Sequence, residues 1–158
     1  MPNYIIILVA LATAVNGILT GASLDQSIKQ LPARYRMGMI AYSKYSQAAD
    51  LGNGILWYAV IGIGAAVLTI AAAVVAYFNG MNTSITTPLY IAAILAVLHS
   101  LATTQAAPTN FSQRNVDEDE TALTSVFNRF ERWQALRAAL QVLNFTVMLW
   151  AMVEFANI

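Results

Sequence analysis

The chain lacks cysteine and has few charged residues. None of its 158 residues is cysteine, which excludes disulfides, thiol catalysis, iron–sulfur clusters and cysteine-ligated zinc. Charged residues make up 10% of the chain and the formal net charge is zero, so it has no extended basic face for nucleic acid. Hydrophobic residues make up 58%, more than the polar surface of a soluble protein of this size could cover. The composition therefore predicts an integral membrane protein that does not bind nucleic acid.

The hydrophobic residues are concentrated in four long runs, at about residues 4–22, 53–78, 85–105 and 135–156. At about 1.5 Å rise per residue, each run can cross a hydrocarbon core of about 30 Å as a helix. The first run lacks the basic segment that opens a signal peptide, so we predict a transmembrane helix there and not a cleaved leader. The sequence thus predicts one all-α domain over residues 1–158, an antiparallel bundle of four transmembrane helices.

The basic residues predict the orientation of this bundle. The turn at residues 79–84 carries no basic residue. The eight Lys and Arg residues lie in the first connection and in or just after the third: Lys29, Arg34, Arg36, Lys44, Arg114, Arg129, Arg132 and Arg137. Since cytoplasmic loops of membrane proteins are enriched in Lys and Arg, the first and third connections are predicted to be cytoplasmic. The protein should then be a multi-pass cell-membrane protein with both termini outside the cytoplasm.

Helices two and four are predicted to extend into the cytoplasm. Pro32 suits the first turn of a helix, and no strong helix breaker follows it before Gly52. Asn115, with four acidic residues close behind it, is typical of the N-terminus of helix four. We interpret the basic residues of the first connection as a collar at the lipid headgroups, with a surface that recruits a partner as the alternative.

Each span also carries polar residues on one face, which are costly in lipid and usually face the interior of a bundle. Several of them lie at a common depth, roughly 9–14 Å from the cytoplasmic ends at about 1.5 Å per residue. They are Asn16 on helix one, His99 on helix three, and Gln141 and Asn144 on helix four. The polar faces also include Asp50, Asn53 and Trp57 on helix two and Trp133 and Arg137 on helix four. The shared depth predicts a polar cavity in the cytoplasmic half of the bundle. A closed network of interhelical hydrogen bonds is the alternative.

Arg137 and His99 are the candidate catalytic residues. A guanidinium inside a span needs an anionic or carbonyl partner, and Asp50 is the nearest candidate by depth, so Arg137 forms either a structural ion pair or an anchor for a substrate oxygen. His99, the only histidine, can carry a proton or make an interhelical hydrogen bond. A lone histidine is a poor site for zinc or haem, so no metal and no cofactor are predicted.

Two short motifs carry a family resemblance. Pro108, Thr109 and Asn110 form a P-T-N sequence, interpreted as a turn, and Arg132, Trp133 and Arg137 lie in an R-W-x-x-x-R stretch of helix four. With these motifs, and in helix number and loop lengths over nearly the whole chain, the protein resembles the anthrone oxygenase-like family of small four-helix membrane proteins. Characterised members are linked to the cofactor-independent oxidation of anthrones to anthraquinones.

The resemblance implies Asn110, Trp133 and Arg137 as site residues. In many relatives a histidine lies in the turn before the arginine, where this chain has Gln134 and Ala135. We therefore predict that the protein binds or oxidises a small hydrophobic, aromatic or quinone-like molecule, with membrane lipid as its surroundings. The predicted binding residues are Asn16, Asp50, Asn53, Asn110, Trp133, Gln141 and Asn144.

Other functions remain open at this point. The alternative is a non-catalytic membrane module or partner-binding subunit, including a homo-oligomer. A channel or transporter ranks third, because the spans show neither a broken helix nor an internal repeat.

Overall fold

The computed structural model describes residues 3–157, and every regular element in this range is helical, which confirms the all-α prediction. A π-helical turn at Gln26–Gln30 joins the first two α-helices, a second one at Ala49–Asn53 joins the third to the fourth, and a 3₁₀ turn at Ser112–Asn115 continues the fifth. The α-helices are α1 (Asn3–Asp25), α2 (Leu31–Met37), α3 (Met39–Ala48), α4 (Gly54–Phe78), α5 (Thr83–Phe111) and α6 (Glu120–Ala156).

These elements form four long helices, Tyr4–Met37, Met39–Phe78, Thr83–Asn115 and Glu120–Ala156, each long and apolar enough to cross a membrane. The four predicted spans are thus confirmed as helices of sufficient length and hydrophobicity to cross a membrane. Large apolar side chains remain exposed along the outside of the helices. On α4, for example, Val60, Ile63 and Val67 are each more than half exposed. Soluble monomers rarely leave so much contiguous apolar surface in water, whereas lipid accommodates it.

All four long helices exceed the predicted spans, not only the second and fourth. The first continues through α2 and ends at Gly38, whose φ of 84° and ψ of 152° form a conformation that is essentially restricted to glycine. The predicted start of helix two at Pro32 is therefore wrong. Pro32 does lie in the first turn of a helix, but that helix is α2, which continues the first long helix.

The predicted N-cap of the last helix is also wrong. Asn115 lies in the 3₁₀ turn, and α6 begins at Glu120. The cap is Asp119, whose carboxylate accepts hydrogen bonds from the backbone N–H groups of Thr121 (2.9 Å) and Ala122 (3.1 Å). The acidic residues were correctly associated with a helix start, but an extended residue, Val116, separates Asn115 from it.

The longest contacts are those of α1 with α4 and α6 and those of α5 with the same two helices, and α3 also contacts α6. The start of α1 lies beside the end of α4, where the Tyr4 hydroxyl donates to Asn79 Oδ1 at 2.9 Å. We call this the terminal end of the molecule, because α6 also finishes there, with Phe155 packed in the same apolar cluster as Ile5. The opposite end, which carries the first and third connections, is called the basic end.

The interior changes in character from one end to the other. At the terminal end the buried cluster is rich in alanine, which lets helices approach closely in lipid. At the basic end the cluster is aromatic, and the rings of Tyr42 and Phe127 meet edge to face with centroids 4.9 Å apart. Polar side chains occupy the interior between these two clusters.

Arg34 is fully buried, so the interpretation of the first connection as a headgroup collar is wrong for this residue. Its Nη1 donates to the carbonyl of Leu31 (3.0 Å), and its Nη2 donates to Glu131 (2.7 Å), Asn128 (3.3 Å) and the hydroxyl of Tyr35 (2.6 Å). Both acceptors on α6 lie far along the chain, so this guanidinium fastens α2 to α6.

A second ion pair at the basic end joins Lys44 to Glu118 at 2.5 Å. The hydrogen bond from Lys44 holds the pKa of the Glu118 carboxyl below its usual range. Both side chains are exposed, so water screens the pair and it contributes little to stability.

Candidate functional site

The predicted polar layer separates into two parts, and the first is a closed network around Asn16. The amide nitrogen of Asn16 donates to Thr69 Oγ1 at 2.8 Å, and its Oδ1 accepts from Gln141 Nε2 at 2.8 Å and from Asn144 Nδ2 at 2.9 Å. All four side chains are essentially inaccessible to solvent. The alternative of an interhelical hydrogen-bond network is therefore the one observed for Asn16, Gln141 and Asn144.

The second part is a cavity of about 210 Å³ nearer the basic end. Phe130, from the aromatic cluster, forms one wall. All four long helices contribute polar side chains to its lining: Gln26, Asp50, Tyr58, Thr103, Asn110 and Arg137. The structure thus brings together three of the predicted site residues, Asp50, Asn110 and Arg137.

Arg137 faces this cavity without a carboxylate partner. Its Nη1 donates to Gln134 Oε1 at 2.8 Å, and its buried Nε has no hydrogen-bond partner within residues 3–157. The ion pair predicted between Arg137 and Asp50 is wrong. The ion pairs of the described residues join Lys29 to Asp25, Arg34 to Glu131 and Lys44 to Glu118.

Asp50 lines the same cavity from the other side of the bundle. Its Oδ2 accepts a hydrogen bond from Ser46 Oγ at 3.1 Å. A carboxylate and a guanidinium therefore face one small space without forming an ion pair with each other. A molecule placed between them could donate a hydrogen bond to Asp50 and accept one from Arg137.

Gln113 fixes the orientation of Asn110. It is fully buried, and its Nε2 donates to Asn110 Oδ1 at 2.8 Å and to Ser46 Oγ at 3.3 Å, while its Oε1 accepts from Ser43 Oγ at 3.1 Å. Because Oδ1 of Asn110 is occupied by Gln113, its amide N–H groups are the donors that remain for the cavity. Asn110 and Arg137 thus supply donors, and Asp50 supplies an acceptor.

His99 is buried on α5 but does not line the cavity. It lies one helical turn from Thr103, which does line it, and the Thr103 hydroxyl donates to the His99 carbonyl at 2.9 Å. Nε2 of His99 has no hydrogen-bond partner among the described residues, so the interhelical bond expected for a structural histidine is not made by this atom. The role of His99 as a proton carrier stays a prediction.

Asn53, Trp57 and Trp133 lie outside the cavity. Asn53 and Trp57 are exposed, and Trp133 is partly buried in a surface groove between α5 and α6. The spacing of Asp50, Asn53 and Trp57 assumed an unbroken α-helix. The π-helical turn at Ala49–Asn53 takes up one extra residue, so the face that contains Asp50 continues through Tyr58 instead of Trp57.

The sequence reasoning missed four residues at or beside the cavity: Gln26, Tyr58, Gln113 and Gln134. The signal for Gln134 was its position three residues before Arg137, which puts both on one helical face. Gln26 and Gln113 lie in polar connections of the sequence, where an amide side chain gives no sign that it is buried. The P-T-N sequence of residues 108–110 is not a turn, because it lies within the last turns of α5.

Within residues 3–157, no three or more His, Cys, Asp or Glu side chains come close enough together to hold a metal ion. In comparisons with known proteins, no protein family, no curated protein and no solved structure matches this chain.

Proposed function

We propose that this chain is an integral membrane protein that binds a small, flat, hydrophobic molecule with polar oxygens in the cavity between Asp50 and Arg137. The observation that carries the proposal is the guanidinium of Arg137, which faces the cavity with a neutral amide as its hydrogen-bond partner. An arginine without a countercharge in a membrane interior is costly, and such residues commonly mark ligand sites. A ligand oxygen would supply the missing partner.

The lining defines the chemical class of the ligand. Leu51, Ile55, Phe111 and Phe130 provide apolar walls that suit a ring system. The volume of about 210 Å³ lies below the range of about 300–1,000 Å³ that is typical of sites for drug-sized ligands, which favours one or two fused rings. A hydroxyl beside Asp50 and a carbonyl or phenolate oxygen beside Arg137 make a hydroxyquinone or a related phenol the best match.

The resemblance to anthrone oxygenase-like proteins adds an oxidative step to this proposal. Arg137 and Asn110 would stabilise the enolate or phenolate of the bound molecule. Since His99 does not line the cavity, the proton would reach it through a group of the lining, such as the hydroxyl of Thr103 one helical turn away. The anion would then react with dioxygen directly. Oxidation of a ring CH₂ to a carbonyl consumes one O₂ and releases one water.

A non-catalytic membrane module or partner-binding subunit is the second candidate. The closed network around Asn16 favours it, because its four side chains bond to one another and none of them lines the cavity. The two candidate functions differ in the role of Arg137, which contributes to ligand binding only if the protein binds a small molecule.

The first prediction concerns the replacement of Arg137 by glutamine. It should weaken binding of 2-hydroxy-1,4-naphthoquinone about tenfold or more, because a hydrogen bond to a charged group is worth about 1.5–3 kcal/mol. Isothermal titration of the detergent-purified protein measures this affinity. Native mass spectrometry of the same sample would identify an aromatic molecule that co-purifies with it.

The control is Arg132→Gln, which removes the same charge from α6 outside the cavity and should bind the probe like the wild type. Both variants should unfold at the wild-type temperature. Absence of probe binding and of any co-purified aromatic mass in the wild type would overturn the proposal. An Arg137→Gln variant that binds normally would do the same.

We also propose that the helices cross the membrane as an antiparallel bundle, with the basic end in the cytoplasm and both termini outside. The support is the charge distribution, since the turn at residues 79–82 carries no Lys or Arg and the connections of the basic end carry most of them.

The second prediction tests this orientation with single cysteines in a chain that has none of its own. In intact cells, a membrane-impermeant maleimide should label Asn79→Cys and leave Arg36→Cys unlabelled, because Asn79 is in the outer turn and Arg36 is exposed at the basic end. Lysed cells should give labelling of both. The reverse pattern in intact cells would place the basic end outside.

A further inference from the structure

A second concave surface lies on the outside of the basic end and is separate from the cavity. It is a groove of about 820 Å³ along the first half of α6. Its polar part is formed by Arg129 and Arg132 together with Thr121, Thr124 and Ser125. Both arginines are exposed, and neither forms an ion pair with a described residue. The groove therefore presents two unneutralised positive charges beside several hydroxyl groups.

The acidic residues of this stretch do not cancel that charge. Glu131 does not line the groove, and its carboxylate is already paired with the buried Arg34. Glu120 and Asp119 lie at the start of the helix and do not line the groove, and the carboxylate of Asp119 caps the helix. The groove therefore carries positive charge that is complementary to an anion.

The groove continues into an apolar one. A second groove of about 530 Å³ runs between α5 and α6, and it shares Trp133 and Leu136 with the first. Its other lining residues include Leu98, Leu101 and Leu140. A polar region with two arginines therefore adjoins an apolar channel of aliphatic side chains, with a tryptophan at the boundary.

The position of that boundary along α6 agrees with the edge of a bilayer. From the end of α6 at Ala156 to Trp133 the helix spans about 35 Å, at about 1.5 Å per residue. The hydrocarbon core is about 30 Å thick, so Trp133 lies near the headgroup level when the other end of α6 is at the opposite interface. Arg129 and Arg132 then lie among the headgroups, and Leu101 and Leu140 lie among the acyl chains.

We infer that this paired groove is a binding site for an anionic phospholipid. Arg129 and Arg132 hold the phosphate of its headgroup, the hydroxyl of Ser125 donates to another headgroup oxygen, and one acyl chain lies between α5 and α6 against Leu101 and Leu140. Two free arginines adjoin a contiguous apolar groove here, which matches the charged headgroup and the acyl chain of a lipid.

The test is a native mass spectrometry titration of the full chain in detergent with palmitoyl-oleoyl phosphatidylglycerol. Wild type should bind this lipid more tightly than the zwitterionic phosphatidylcholine with the same chains. Each arginine near an anionic headgroup contributes about a fivefold factor in affinity, so Arg129→Gln/Arg132→Gln should bind about 25-fold more weakly. Arg36→Gln removes an exposed positive charge elsewhere at the basic end and should bind like the wild type.

Two further measurements distinguish a lipid headgroup from a free phosphate as the ligand, and a loss of charge from misfolding. Free glycerol 3-phosphate should bind far more weakly than the lipid, because it has no chain for the apolar groove. Arg129→Lys/Arg132→Lys keeps both charges and should retain most of the affinity. Equal binding of the two lipids, wild-type binding by the double glutamine variant, or equal binding of free glycerol phosphate would each overturn the inference.

Discussion

Replacement of Arg34 by alanine is expected to lower the free energy of unfolding by about 3–5 kcal/mol. The side chain is fully buried, and it makes hydrogen bonds to a backbone carbonyl, to Tyr35 and to two residues of α6. Its loss opens a void beside the aromatic cluster and leaves Glu131 without its cation. Denaturation of the detergent-solubilised protein, followed by tryptophan fluorescence, measures the change.

Arg36→Ala is the matched control, since it removes the same side chain two residues along the same helix. Arg36 is exposed, and its replacement should change the free energy of unfolding by no more than about 0.5 kcal/mol. If Arg34→Ala and Arg36→Ala were equally stable, the attachment of α2 to α6 would not depend on the guanidinium of Arg34.

The second large effect is expected for Asn16→Ala, which should cost about 2–4 kcal/mol. Asn16 is the central residue of the closed network, and its Oδ1 accepts from both Gln141 and Asn144. Without it, two amide groups on α6 and the hydroxyl of Thr69 lose a partner in a place that water does not reach. The measurement is the same denaturation experiment, with circular dichroism to confirm that the helices are retained.

Thr13→Ala provides the comparison for Asn16. The Thr13 hydroxyl is buried on the same helix, but it donates to the carbonyl of Val9 within that helix and makes no bond to another one. Its loss should cost less than about 1 kcal/mol. Equal destabilisation by the two variants would mean that the interhelical bonds of Asn16 contribute nothing beyond side-chain volume.

The spans could be predicted from the sequence because membrane crossing depends on local composition and length, and both can be read from a single chain. The polar layer was predictable for a related reason, since a polar side chain in an apolar run has few options other than the interior. What could not be predicted was which of its members would bond to each other. Asn16 and Arg137 are equally conspicuous in the sequence, yet one completes a network and the other faces a cavity.

Arg34 shows where local reasoning fails. Its neighbours in sequence are polar and basic, which is typical of a headgroup collar. The residue that determines its environment, Glu131, lies 97 positions away in the chain. No periodicity within residues 29–44 carries information about that pairing.

In the second long helix, the sequence predicted the wrong residues for the face that lines the cavity. At about 100° per residue, Asp50 and Tyr58 are about 80° apart on an unbroken α-helix, and Asp50 and Trp57 are about 20° apart. With one residue absorbed by the turn at Ala49–Asn53, Tyr58 moves to the smaller angle and lines the cavity. The break coincides with Gly52, whose φ of −94° and ψ of −112° are not helical. The sequence shows this glycine as a helix breaker, but it does not show by how much the helix is rotated beyond it.

Both π-helical turns contribute to the cavity wall: Gln26–Gln30 supplies Gln26, and Ala49–Asn53 supplies Asp50 and Leu51. Such a turn is equivalent to a one-residue insertion into an α-helix. Loss of one residue at either turn would rotate the helix beyond it by about 100° relative to the part before it. Evolution could thus exchange the cavity lining through a change of chain length, without a single substitution in the lining itself.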